Sequence, residues 1–568
     1  MGISHFPRWA RWLSAALLAL AAFALLSQLA VYLHYSISLF RFPFDYDQGE
    51  GFELYDTVLH AHGEWPYRDS QVFPFYTSIY PPLFHLITAP LVAVFGPHLW
   101  TGRVVGFTAS LIAAAAIGWG VWRASERRFP LIAAFSSLAF LASNYTFSIG
   151  PLFRQHMTMV MFETLAIVVL AQVTEATFNR NPLKGAGERE GRKENEENPL
   201  RSSRPLRLNI PFWLGLLFLL AAGYSKPLAL ATVLAALGYL FLRGPRRAVL
   251  TGIGLALAAG VIFLWINWQT GGWWYVSIIR ANLNDYSLDQ TIGFYREWLE
   301  LHAVLALAAF GGLIYETYFS RLSIYSVWFA FAFANGALSG KFGAGESYFV
   351  TTTAAACILS GILAAKAWSL VTERVSRRDA KTQSEIFSFL SLRPWRSLRF
   401  EIFLALALPA LSLIQTRLTF KLYTEGPIYG PLARALGLPD NSGRGFYDSQ
   451  GYTQLGPRPT RADHEAGYTI VELARHAPGP VFSEEAAFMF RAGKPVVTNP
   501  FVQLVMYQAG LFDPTEEIAL INRRAFGLVI LRAQFYPPPV LAALGANYQP
   551  KTEIQMNGFS YRILEPRP

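Results

Sequence analysis

Long apolar runs recur along this 568-residue chain, and they decide what it can fold into. Trp12 to Leu33 is the first. Others lie at 100–122, 130–149, 156–176, 209–224, 227–242, 248–268, 302–319, 322–339, 347–369 and 400–417. A hydrocarbon core of about 30 Å is crossed by roughly 20 apolar residues in a helix. The runs therefore predict an α-helical polytopic membrane protein with about eleven transmembrane helices. The first run exceeds the ~7–15 apolar residues of a signal peptide, so it is read as a helix that stays. Charged residues are only 15% of the chain and hydrophobic ones 53%. Soluble domains carry about 25% charge, which argues against a string of soluble domains. A net charge of +10 spread so thinly cannot build a nucleic-acid surface. The single cysteine, Cys357, excludes an internal disulfide framework and a cysteine-rich metal site.

Charge gives the runs an orientation. The segment 81–97 is apolar but short and interrupted by Pro81, Pro82 and Pro90, which suits an interfacial or re-entrant helix. With that segment not crossing, the basic loops fall on one side: Arg8, Arg11, the 123–128 cluster, 177–208, Arg243, Arg246, Arg247, Arg321 and 366–399. By the positive-inside rule that side is cytoplasmic. The N-terminus is then inside, and 34–98, 268–301, 340–347 and everything after 418 are outside. Within 209–242, Lys226-Pro227 reads as a tight turn between two short helices, with one long kinked helix as the alternative. The polar, mixed-charge loop 177–208 reads as a disordered cytoplasmic linker.

Two regions follow: a membrane domain over 1–418 and a small extracytoplasmic α/β domain over 419–568. The second rests on short apolar runs at 480–484, 494–499, 526–532 and 559–564. These alternate with helical patterns at 463–476, 484–492, 514–524 and 538–545.

The outer loop 34–98 carries seven acids: Asp45, Asp47, Glu50, Glu53, Asp56, Glu64 and Asp69. Carboxylates crowded at a membrane rim can serve as general bases or metal ligands; the plainer reading is a solvated face. The second feature is Ser339 to Phe349 (SGKFGAGESYF), where Lys341 lies among glycines before a helix start. Backbone N–H groups and the helix dipole suit a phosphate there, although the Walker A order is absent. A flexible loop with a snorkelling lysine is the alternative. Third come lone cations on a side poor in them, including Arg41, Arg68, Arg103, Arg154, Lys226, Arg280 and Arg296. These can grip a lipid phosphate or simply anchor at headgroups. Glu163 lies inside a run and is expected to pair with Arg154 or another cation, and His156 beside it reads as structural.

In this order the motifs resemble a membrane glycosyltransferase of the GT-C class. They are similar to the bacterial relatives of protein O-mannosyltransferases and of the lipid A aminoarabinose transferase. The resemblance rests on Asp45-Tyr46-Asp47-Gln48-Gly49-Glu50 after the first helix, Tyr67-Arg68-Asp69, Tyr80-Pro81-Pro82-Leu83, Phe95-Gly96 and Gly102-Arg103. Ser225-Lys226-Pro227, Lys341-Phe342-Gly343-Ala344 and Tyr348-Phe349 complete it, and it covers most of 10–370.

The resemblance implies a polyprenyl-phosphate-linked sugar donor and a protein, lipid or glycan acceptor with a free hydroxyl. It implies inverting transfer at the outer face of a bacterial or archaeal inner membrane. Asp47 takes the base position, with Gln48 where Glu is usual; Glu50 would stand in for that second acid, or Asp45 would be the base. Lys341, helped by Arg103, Lys226 or Arg280, would hold the phosphate, and Tyr348 would orient phosphate or sugar. Some relatives use a divalent metal such as Mg or Mn, for which Asp45, Asp47 and Glu50 are the expected ligands. The rival classes are a secondary transporter or lipid flippase, and a non-catalytic polysaccharide-assembly scaffold. Acids gathered in one loop rather than at the midplane count against a transporter.

Overall fold

The computed structural model describes residues 6–178, 210–372, 398–419, 429–435, 437 and 458–568. The expected linker at 177–208 lies almost wholly outside them. The membrane part runs α1 (Arg8–Arg41), α2 (Glu50–Ala61), α3 (Leu83–Phe95), α4 (Leu99–Ala124), α5 (Pro130–Ala142), α6 (Asn144–Ile149), α7 (His156–Phe178) and α8 (Ile210–Ser225). It continues through α9 (Leu230–Arg243), α10 (Pro245–Gln269), α11 (Trp273–Ile278), α12 (Leu288–Leu301), α13 (Ala303–Phe319), α14 (Ile324–Asn335), α15 (Val350–Thr372) and α16 (Leu398–Leu418).

Six of these, α1, α4, α7, α10, α15 (with the turn before it) and α16, are long and apolar enough to cross a membrane. The chain is a multi-pass membrane protein, and among the described residues the number of full-length spans is six, or seven if the bent pair α12 and α13 is one span. The runs 130–149, 209–224, 227–242 and 322–339 form helices of 13, 16, 14 and 12 residues, α5, α8, α9 and α14. At ~1.5 Å per residue each falls short of a straight crossing of about 30 Å. The run 130–149 is cut at Ser143, whose ψ of 137° ends α5 before the fully buried α6 begins. The turn at Lys226-Pro227 does separate α8 from α9, because proline has no N–H to continue the ladder.

α12 and α13 meet at 95°. Their broken backbone is satisfied by Gln415 of α16, which donates to Leu301 O at 2.9 Å and accepts from Leu305 N at 3.0 Å. Pro409 inside α16 frees the Ala405 carbonyl four residues earlier, and Ser14 of α1 donates to it at 2.9 Å. Glu163 of α7 is buried but does not pair with Arg154. It accepts from Thr232 and Thr351, at 2.6 Å each, and Trp328 donates in turn to Thr232 at 2.9 Å.

The C-terminal part begins with α17 (Tyr429–Ala435) and continues α18 (Arg461–His476), β1 (Val481–Ser483), α19 (Ala486–Ala492), α20 (Pro500–Gln508) and α21 (Thr515–Asn522). It ends β2 (Leu528–Leu531), α22 (Pro538–Asn547), β3 (Tyr548–Met556) and β4 (Phe559–Pro566). The sheet order is β1-β2-β4-β3, with β1 and β2 parallel and the other pairs antiparallel. β3 and β4 form a hairpin through Asn557-Gly558, both at positive φ, the pair a two-residue primed turn favours. The apolar run 494–499 is not a strand; its Val497 and Thr498 pair instead with Phe75 of the loop after α2.

This α/β unit sits on the acidic loop. Gln503 donates to Phe75 O at 3.1 Å and Asn499 to Thr77 O at 3.4 Å. The hairpin tip reaches Tyr46 O through Asn557 at 3.3 Å. Phe44 packs against Tyr468 and Phe488. Gly51 is required by the contact, since a Cβ there would lie 2.5 Å from Ala487 N.

Candidate active site

The segment between α1 and α2 turns back on itself at Gly49, whose φ of +97° starts α2. Residues three and four apart share a helix face. Glu50, Glu53, Asp56, Thr57 and His60 therefore point inward in register, and all but His60 are fully buried.

Glu50 belongs to the scaffold. Arg103 of α4 donates to both of its oxygens, at 2.8 and 2.7 Å, and to the carbonyls of Leu39, Phe42 and Phe44 at 2.6–2.8 Å. All five guanidinium N–H groups are used. Burial opposes ionisation of Glu50, but Arg103 and the backbone N–H groups of Phe153 and Tyr46 hold its pKa below the ordinary value. Arg103 therefore ties the end of α1 to α2 and has no donor left for a phosphate. Asp45 is also spent on structure. It accepts from Gly51 N at 2.5 Å and Ala487 N at 3.3 Å, joining α2 to the C-terminal unit. Burial, then the nearby Glu485, pushes its pKa well above normal.

Asp47 faces the other way. Arg154 donates to its Oδ2 from Nε at 2.6 Å and to Glu53 Oε1 at 3.2 Å, and a further N–H goes to the Gln48 carbonyl. Asp47 Oδ1 is buried and has no hydrogen-bond partner. Burial raises the Asp47 pKa, and Arg154 acts against the rise.

Next to this pair lie the expected phosphate residues. The Lys226 ammonium contacts His156 Nε2 and sits over the rings of Tyr348, at 5.2 Å, and Tyr80, at 5.9 Å. Ser347 shares His156 Nε2 at 3.1 Å. Lys226 lies within electrostatic reach of Arg154, Glu53 and Lys341, and Tyr80 of Glu53, Arg154, Tyr348 and Asp47. Lys341 reaches Asn282 Oδ1 at 3.4 Å, and partial burial lowers its pKa. Asp47, Lys226, Lys341 and Tyr348 thus share one neighbourhood. Arg280 is exposed, in the short turn that also carries Asn282, the partner of Lys341.

The expected metal set, Asp45, Asp47 and Glu50, does not fit a cation, because the oxygens of Asp45 and Glu50 are taken by backbone N–H groups and Arg103. A different trio offers open ligand atoms on two of its members, while the Asp56 oxygens accept from the hydroxyls of Tyr76 at 2.7 Å and Ser78 at 2.5 Å. One ligand atom from each of Glu53, Asp56 and His85 lies within 4.8 Å of the others. His85 Nε2 is 3.4 Å from Glu53 Oε2, and both atoms are buried without a hydrogen-bond partner. Thr57 fixes the His85 ring through Nδ1 at 3.0 Å, the outer support that metal-binding histidines need. Burial raises Glu53 to about 8 and Asp56 to about 7, and lowers His85 well below its usual value.

No protein-family model and no curated relative matches the sequence. Solved structures do. ArnT from Cupriavidus metallidurans in the apo state is similar at a TM-score of 0.53 and 14% identity, over 95% of this chain and 97% of that one. ArnT bound to undecaprenyl phosphate gives 0.50, at the same identity and coverage. The fold is the GT-C fold. A fainter likeness, with TM-score 0.45 and 12% identity, is to the archaeal oligosaccharyltransferase AglB from Archaeoglobus fulgidus, covering 98% of this chain and 74% of that one.

On this GT-C scaffold the site includes residues to which the resemblance gave no role: Arg154 as partner of Asp47, Glu53 with Asp56 and His85, and His156 with Ser347. The three-residue step Glu50, Glu53, Asp56 was a usable signal for one inward helix face. No local signal pairs it with His85 or Arg154.

Proposed function

We propose that this chain is a glycosyltransferase that moves a sugar from a polyprenyl-phosphate donor to a hydroxyl acceptor, with inversion at the anomeric carbon. The observation that carries this reading is the unpartnered Oδ1 of Asp47, held by Arg154 beside the lysine-lined corner. Asp47 takes the proton of the acceptor hydroxyl. The acceptor oxygen then forms its bond to the anomeric carbon while the bond from that carbon to the phosphate oxygen breaks. The polyprenyl phosphate leaves with the electron pair, and Lys226, Lys341 and the Tyr348 hydroxyl stabilise its charge. Arg154 keeps the Asp47 carboxylate ionised and oriented. Glu53, Asp56 and His85 would hold a divalent cation, which would supply further positive charge for phosphate oxygens when bound.

On the positive-inside reading the site faces the outer side, with the N-terminus cytoplasmic and the α/β unit over the acidic loop. Release of polyprenyl phosphate from a radiolabelled donor by purified protein, with Asp47→Asn beside it, tests the assignment. The variant is expected to stay folded and lose turnover. Full turnover in that variant refutes the role of Asp47, and no turnover of any such donor by the parent protein refutes the reaction.

A further inference from the structure

A second feature lies far from this chemistry. A cavity of about 520 Å³ opens among α1, α5, α13, α15 and α16. Its walls are mainly apolar, including Leu25, Ile132, Ala308, Cys357, Ala364 and Leu411. The volume lies within the roughly 300–1,000 Å³ of ordinary ligand sites. Protein interiors pack densely, and apolar voids of such size are costly unless something fills them.

The two ends of the cavity differ. Gln415 closes one, its amide spent on Leu301 O and Leu305 N at the bend between α12 and α13. Arg128 stands at the other, exposed, with Phe129 and Pro130 beside it. Arg8 and Arg11 lie near that end too, since Phe6 and Ala10 of the same turn share an apolar cluster with Phe129. Along α16 the wall is open, and Leu411 is 44% exposed.

Arg128 follows the far end of α4, while Arg103 near its start belongs to the acidic site. About 20 helical residues separate them, a rise of about 30 Å, which is the thickness of a hydrocarbon core. A lipid whose headgroup meets Arg128 therefore stands in the leaflet opposite the acidic site. It cannot be a donor poised for the reaction proposed above.

We infer that this cavity is a site for an acyl chain of an anionic phospholipid from that opposite leaflet, with its phosphate at Arg128 and its chain running along α5 and α15 toward Gln415. The proline in α16 helps to make the space: Pro409 lines it, and the Ser14 bond to Ala405 holds α16 to α1 near the Arg128 end.

Native mass spectrometry supplies the test. The full chain in detergent is freed of lipid, incubated with phosphatidylglycerol, phosphatidylcholine of the same acyl composition, or undecaprenyl phosphate, and the bound lipid is counted. Phosphatidylglycerol should remain bound with about a fivefold preference over phosphatidylcholine, the size expected of one cation at a membrane surface. Arg128→Glu should erase the preference, and Ala364→Phe should lower the amount of phosphatidylglycerol bound. Equal retention of phosphatidylcholine, no retention of any lipid, or displacement of phosphatidylglycerol by undecaprenyl phosphate would each overturn the inference. If Ala364→Phe fails to fold, the parent protein and Arg128→Glu decide it, since Arg128 is exposed.

Discussion

Replacing Arg154 by glutamine should move the pH profile of sugar transfer rather than simply lower it. Arg154 meets Asp47 at 2.6 Å and Glu53 at 3.2 Å, and both carboxylates are buried. Two unit charges about 4 Å apart at an effective dielectric near 20 interact by about 4 kcal/mol. At about 1.36 kcal/mol per pKa unit this displaces a pKa by about 3, the upper end of the 1–3 typical of an arginine beside an aspartate. Burial already raises the Asp47 pKa, and Arg154 opposes the rise. Without the guanidinium the pKa climbs further. A general base works only when deprotonated, so the acid limb of kcat/KM should move to a pH higher by about 1–3. Below the new limb the rate should fall about tenfold for every pH unit, and above it the rate should recover. The assay is donor turnover between about pH 5.5 and about pH 9.5 in detergent, with thermal unfolding recorded at each pH. Glutamine retains N–H groups for the Gln48 carbonyl, which limits collapse of the turn. An acid limb that stays in place, or a loss that alkaline pH does not restore in a folded variant, refutes Asp47 as the base.

Lys226→Ala and Lys341→Ala should each raise the donor KM by about tenfold or more, the effect of one lost hydrogen bond to a charged group, with less change for the acceptor; steady-state titration of each substrate checks this. Arg103→Ala should act on stability, because it leaves Glu50 buried and unpaired at a cost of about 3–5 kcal/mol; a chemical or thermal unfolding shift reads it, and a folded variant altered only in donor affinity contradicts it. Zn²⁺ or Mn²⁺ should raise the unfolding temperature of the parent protein but not of His85→Ala, and more at pH 8 than at pH 6, because Glu53 and Asp56 must lose protons to bind the ion. With chelator present the sign reverses. Glu53 binds its proton more tightly folded than unfolded, so stability should fall as pH rises from about 4.5 toward about 8, and Glu53→Gln should flatten that slope.

What could be read from the residues alone divides by range. Hydropathy reports whether a stretch can live in lipid, which is a local property, so the polytopic class was legible. It does not report where a helix stops inside lipid-compatible sequence. The break at Ser143 and the short α6 were hidden in an apolar run, whereas the break at Lys226-Pro227 was visible because proline cannot donate. In the same way, a cluster of acids after the first helix was visible, but the role of each acid was not. Asp45, Asp47 and Glu50 lie within six residues and look alike on the page. Their roles are set by partners 442, 107 and 53 positions away, Ala487, Arg154 and Arg103. Two of the three are spent on backbone N–H groups and a saturated arginine, and only Asp47 keeps an oxygen free. Glu163 shows the converse: a buried acid in a span looked in need of a cation, yet two threonines satisfy it. A buried charge announces that it has partners, and only the fold says whether those partners leave anything over for a substrate.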